Sequence, residues 1–214
     1  MAISKVNFNS LNVTPTASKA LKFNSSNDGL EAGDVGGALV LLSTATASSS
    51  STISFTSGID STYKEYIFKF IDIHPSNHNA SFEFHCSIDG GSNYNLTITS
   101  TNFLAYNYES GGSPSLGYYA ARDQAQGTSF QHFMRDIGNE NDESSAGYLH
   151  LYDPSSTTFV KHFTADCSLH YEGDAVFHYL YGGYFNTTSA INAIQFKMGS
   201  GNIDSGTIKM YGGT

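Results

Sequence analysis

Histidine is the commonest metal-ligating side chain, and this chain carries eight of them. His162, His170 and His178 recur at regular intervals, and His74 and His78 flank Pro75. Compact metal sites use short ligand spacings completed by cysteine or carboxylate, and no such set surrounds these histidines. His85, between Glu83 and Ser87, falls on the outward parity of a strand, where a solvated imidazole is expected. The segment from Asp136 to Glu143 concentrates hard oxygen ligands of the kind calcium takes, but its spacing departs from the EF-hand loop and reads as a solvated loop tip. Glycoside hydrolysis needs two carboxylates about 5 to 10 Å apart, and nothing in the sequence brings Asp123, Asp142 and Glu143 together. No nucleophile motif, phosphate-binding loop or dinucleotide fingerprint occurs. A non-enzymatic role without metal or cofactor is therefore expected.

Recognition is a second kind of chemistry open to these residues. The chain has 14 Tyr and 15 Phe with no Trp. Tyr106, Tyr108, Tyr118 and Tyr119 cluster beside Asn107, Gly111, Gly112 and Gly117 in the least regular region. Aromatic faces with amide neighbours suit sugar or protein recognition, so these four are candidate ligand or host contacts. The alternative is that they anchor a long loop. Ser87-Ile88-Asp89-Gly90-Gly91-Ser92-Asn93-Tyr94 resembles the Asp-box turn of sialidases and other β proteins, with Asn93 and Tyr94 in place of the usual Thr and Trp. In that motif the carboxylate bonds backbone amides of a hairpin turn, while the glycines supply positive φ.

Strand signals with Gly-rich turns surround these residues: Ala38 to Ser43, Thr52 to Thr56, Tyr63 to Ile73, Ser81 to Ile88 and Tyr94 to Thr99, then Gly147 to Tyr152, Thr158 to Leu169 and Ala175 to Tyr181. Two alternating runs, from Ala190 to Met198 and from Gly206 to Gly212, predict a closing β-hairpin with Ile194, Phe196, Met198, Ile208 and Met210 inward. The nearest approach to a helical period is Gly127 to Ile137, where Phe130, Phe133, Met134 and Ile137 suit one or two turns. The predicted fold is an all-β, antiparallel β-sandwich, jelly-roll-like, over residues 38–214. Residues 1–37, with a short alternating run over 1–8 and isolated hydrophobes such as Leu11, Val13, Leu21 and Phe23, read as an extended N-terminal arm or as a meandering edge of the sandwich.

Tyr63 to Ile73 is apolar on both parities, which a strand solvated on one face would not be. If Tyr152 pairs with Thr157, the next hairpin puts Leu149, Leu151 and Val160 on one face and Tyr148, His150, Phe159 and Phe163 on the other. The second face then needs a cover, either the long loop from about Ser100 to Ser145 or another subunit. Tyr148, His150, Phe159 and Phe163 are accordingly the candidate oligomer interface.

The net charge is -9 and no basic stripe exists, which argues against nucleic acid as a partner. The longest apolar run, Ala38 to Leu42, is far short of the roughly 20 residues that span a bilayer. The opening residues lack a signal-peptide core, so synthesis in a cytoplasm is expected. Cys86 and Cys167 fall on inward parities and read first as buried thiols; pairing would require neighbouring strands.

Four blocks, Gly36 to Ala47, Tyr63 to Phe70, Ser155 to Phe163 and, most distinctively, Asn202-Ile203-Asp204-Ser205-Gly206-Thr207-Ile208-Lys209-Met210-Tyr211-Gly212, resemble virion proteins of marine tailed phages. The resemblance covers most of the chain from about Gly36. It implies a structural particle component without catalytic residues, assembled as a homotrimer. In a fibre-like or surface appendage the arm would attach to other virion proteins and the β domain would face a host-surface glycan or protein. In capsid decoration the arm would clamp the major capsid subunits. A glycan-degrading tailspike is the third reading, weakened by the lack of a long parallel β-helix or a recognisable carboxylate pair.

Overall fold

The computed structural model describes residues 13–14, 19–33, 39–112 and 114–213, which fall into two units, Met1–Ala38 and Leu39–Thr214. The run over residues 1–8, Leu11 and the Gly36-Gly37-Ala38 junction lie outside the described residues. In the first unit, β1 (Ala20–Phe23) and β2 (Leu30–Gly33) form an antiparallel hairpin. Asn24 Nδ2 donates to Asp28 Oδ1 in its turn over 2.8 Å, and Lys22 meets Glu31 across it at 3.4 Å.

The second unit is an antiparallel β-sandwich. Its strands are β3 (Leu39–Thr46), β4 (Thr52–Phe55), β5 (Glu65–Pro75), β6 (Ala80–Ser87), β7 (Ile98–Tyr108), β8 (Ser115–Tyr118), β9 (Ala125–Gly127), β10 (Gln131–Ile137), β11 (Ser145–Tyr152), β12 (Lys161–Tyr171), β13 (Ala175–Phe185), β14 (Ala193–Met198) and β15 (Ile203–Gly213). The larger layer runs β3-β15-β5-β11-β12-β13-β7, with β8 and β9 on the far side of β7. The smaller layer runs β10-β6-β14-β4. Single bridges, Ile137 to Tyr171 and Ser50 to Ile203, join the layers and nearly close the barrel.

Alternation explains the core. β5 turns Tyr66, Phe68 and Phe70 inward, β6 turns Phe82, Phe84 and Cys86, and β12 turns Phe163, Ala165, Cys167 and Leu169. Rings from opposite layers meet edge to face, as in Phe70 with Phe82 at 5.5 Å and Phe84 with Phe163 at 5.2 Å. Each such ring contributes roughly 1.5–3 kcal/mol by leaving water, and pairing adds about 1 kcal/mol.

Four expectations are corrected here. Ile194, Phe196, Met198, Ile208 and Met210 are all buried, but β14 and β15 do not pair: β14 lies between β6 and β4, whereas β15 lies between β3 and β5. The closing segment is an arch between layers. The region read as a long loop holds β7, β8, β9 and β10, and the stretch given a helical period is strand β10. Register shifts between His132 and Met134 and between Met134 and Ile137 put Phe133, Met134 and Ile137 all inside, so β-bulges imitate a spacing of three and four. His85 is fully buried, with its Nδ1 2.9 Å from Cys86 O and Phe130 at 5.3 Å between ring centres. Burial there pushes its imidazole down, because hydrogen bonds from the ring to backbone carbonyls only partly offset desolvation.

The Asp-box-like turn forms, but it carries the chain from β6 in one layer to β7 in the other, where a hairpin was expected. Asp89 Oδ1 accepts from Asn93 N at 2.9 Å, Oδ2 accepts from Asn93 Nδ2 at 2.7 Å, and Gly90 and Gly91 take φ of 72° and 91°. Cys86 and Cys167 are free thiols, buried in different layers.

Candidate binding surface

β12 and β13 pair along their whole length, as do β13 and β7. Successive residues of a strand point to opposite faces, so the register defines rows of side chains across the outer face of the larger layer. One row is Tyr118, Phe103, Leu180, Asp166 and Tyr148, on β8, β7, β13, β12 and β11. The next is Thr101, Gly182 and Thr164, and beyond it lie Thr99, Tyr184 and His162. The middle row is low because Gly182 has no side chain; an ideal Cβ there would meet no atom within 4 Å. The result is a trough with Gly182 on its floor. One part, walled by Phe103, Leu180, Asp166 and Tyr148, encloses about 410 Å³. A second, walled by His162 and Tyr184, adds about 280 Å³ and shares Thr101 and Gly182 with the first.

The polar groups of this face are held in place. Asp166 Oδ2 accepts from Tyr148 Oη at 3.2 Å, and its Oδ1 stands 3.0 Å from His178 Nε2. The Asp166 charge beside Tyr148 pushes that phenol above its ordinary range, keeping it a donor. Tyr152 Oη and Thr164 Oγ1 are 3.1 Å apart, and Tyr148 packs edge-on against His150, which itself pairs with Glu65. Phe103, Tyr118, Tyr148, Tyr152 and Leu180 remain exposed.

The nominated tyrosines divide. Tyr118 is on this face, with Phe103 at 6.3 Å between ring centres and its hydroxyl bonded to Asp123. Tyr106 and Tyr108 occupy the inward parity of β7 and pack on Phe177 and Tyr171, so they anchor the core. Tyr119 also turns inward, with the Arg135 guanidinium 5.1 Å from its ring centre. The other nominated group divides as well. β11 and β12 pair Leu151 with Phe163, so the turn spans the residues between β11 and Lys161 and is longer than expected. Phe163 is therefore buried in the core, Phe159 sits 69% exposed in the turn, and only Tyr148 and His150 share the outer face.

Phe103, Asp166, Leu180 and Gly182 were missed. Their signal was a Gly182-Gly183 doublet in a strand pattern, a mark of close approach by a ligand or another backbone.

Of the acidic residues weighed for catalysis, Asp123 and Glu143 are engaged by separate partners. Asp123 Oδ1 accepts from Asn102 Nδ2 at 2.7 Å, while Glu143 Oε2 accepts from Glu140 N at 2.6 Å and its Oε1 lies 3.1 Å from His170 Nδ1. Among the described residues, no group of three or more His, Cys, Asp or Glu could hold a metal ion, and no helix is long and apolar enough to cross a membrane. No family model, curated protein or solved structure matches the chain.

Proposed function

We propose that the chain is a non-enzymatic structural protein of a phage virion, a fibre-like or surface appendage module that contributes to host attachment. In this reading it assembles as a homotrimer, joins other virion proteins through its N-terminal segment, and turns its sandwich toward the host. The observation that carries the reading is the outer face of the larger layer. Exposed aromatic side chains stand there on a rigid platform of interior strands, and contiguous apolar surface of this kind marks contact sites. Two of the phage-like blocks, Tyr63 to Phe70 and Asn202 to Gly212, run side by side as β5 and β15 in that layer.

Capsid decoration is the second reading, favoured by β3. This edge strand exposes Leu39, Val40 and Leu41 and carries none of the charges or prolines that usually blunt an edge, so it suits pairing with a neighbouring subunit.

Gold-labelled antibody on intact particles tests both. Label on the tail supports the appendage, label confined to capsomers replaces it with decoration, and unlabelled particles overturn the virion reading. Light scattering of the purified chain should give three copies; a monomer at micromolar concentration contradicts the trimer.

A further inference from the structure

We propose that the trough over Gly182 binds a neutral, hydroxyl-rich sugar chain. The inference deepens the host-facing reading above and rests on it only for where the glycan would come from.

Shape limits the occupant first. The walls at Leu180 and Tyr184 are on one strand, four positions apart, or about 13 Å between Cα atoms. Once the wall side chains are in place, the gap admits a ligand one ring thick and not an α-helix about 10–12 Å wide. An extended peptide recognised through its backbone needs a free strand edge, whereas β12 and β13 are paired on both sides. An occupant is therefore held by the side chains that surround the bare Gly182 floor.

Chemistry limits it further. Phe103, Leu180 and Tyr148 present apolar surface of the kind on which the C–H face of a sugar ring packs, and Asp166, Thr101 and Thr164 offer acceptors and hydroxyls to its edge. Asp166 already has two fixed partners, so its remaining lone pairs are aimed without further ordering. The lining contains one carboxylate and neither lysine nor arginine. A sulfated, phosphorylated or uronic-acid chain would meet Asp166 with no lysine or arginine in the lining to offset it, in a chain whose net charge is -9. A neutral oligosaccharide is the chemistry that remains, and the adjoining second part of the trough gives it room for more than one residue.

The test presents the full chain to a printed array of neutral hexose and N-acetylhexosamine oligosaccharides beside sulfated and uronic-acid counterparts. Neutral spots should bind and acidic ones should not. Calorimetric titration with the best neutral ligand should then show Gly182→Leu, which fills the floor, and Tyr148→Ala each weakening binding by about tenfold or more. Leu116→Ser, at an exposed site on β8 outside the trough lining, should bind as the parent does. Should Gly182→Leu fail to fold, Tyr148→Ala and Phe103→Ala decide the matter, since both side chains lie on the outer face and leave the core packing untouched. Absence of any neutral ligand, preference for acidic chains, or unchanged affinity in the trough variants overturns the proposal. Labelled particles without glycan binding would sink this site alone; glycan binding by a chain absent from particles would sink only the virion reading.

Discussion

The Phe163 ring occupies the space that a side chain on Gly183 would need: an ideal Cβ there would stand 2.5 Å from Phe163 Cζ and 2.7 Å from Thr99 O. Gly183 faces the core and Gly182, beside it, faces the trough, so adjacent glycines serve opposite sides of one strand. Gly183→Ala should cost about 1–3 kcal/mol, because the added methyl overpacks a closed core against backbone that cannot yield. Gly182→Ala should be neutral or raise stability by about 0.5–1 kcal/mol, since it adds no clash and restricts the unfolded chain. Urea denaturation of the two variants checks the contrast.

Asp89 supplies an acid-sensitive tie within the turn that joins the layers. Bonds from the Ser87 hydroxyl, the Asn93 amide side chain and the Asn93 backbone hold its carboxyl down to about 2, against an ordinary 3.8. The folded value is depressed, so the contribution is complete above pH 3.8 and is lost as pH falls through about 2. Asp89→Asn should flatten the fall in thermal midpoint across that window relative to the parent, with calorimetry as the measurement.

Lys161 is a buried ammonium that donates to Phe159 O at 2.7 Å and to Thr187 O at 3.2 Å, tying the β11–β12 turn to the segment after β13. Desolvation lowers its proton affinity, and Asp153 only partly restores it. Between the folded value and the ordinary 10.5 the unfolded chain holds more protons, so this group makes stability rise with pH there. Lys161→Met should cost about 1–2 kcal/mol at neutral pH through the lost bonds, and the deficit should widen as pH climbs toward 10.5. Denaturant midpoints of both proteins over the alkaline range give the comparison.

Burial pushes both thiols well up, for Cys167 with help from the Asp166 charge. Neither should react with a thiol-specific chromophore in the native protein at neutral pH, and both should react at once in denaturant. Prompt labelling of the native fold would contradict the closed core.

Face was far easier to read from the sequence than partner. Alternation placed Phe196 and Met210 inside correctly, because the period of two reports which side is inward. It is silent on which sheet a strand joins, so a short Gly-rich connection passed for a hairpin when it was an arch. At Phe163 the misreading came from turn length: assuming a tight turn at Asp153-Pro154 put Leu151 opposite Thr158 where it meets Phe163, and that odd shift of five residues reversed the whole facing set. In β10 the bulges erased the period itself. Tyr106 and Tyr108 looked like surface aromatics because neighbouring Asn and Gly hid the strand they belong to. The trough was the least legible feature, since its members Phe103, Leu180 and Tyr148 come from three strands and meet only through pairing register.

β15 completes the larger layer from the inside, between β3 and β5, although it follows every other described strand in chain order. On the ribosome, β3 and β5 therefore emerge early and wait, with no partner between them, until all the intervening strands have been made. Their facing edges stay open until β15 arrives. A nascent chain stalled before Ile203 would expose two sticky strand edges at once, making β15 the latch whose arrival ends the hazard of aggregation.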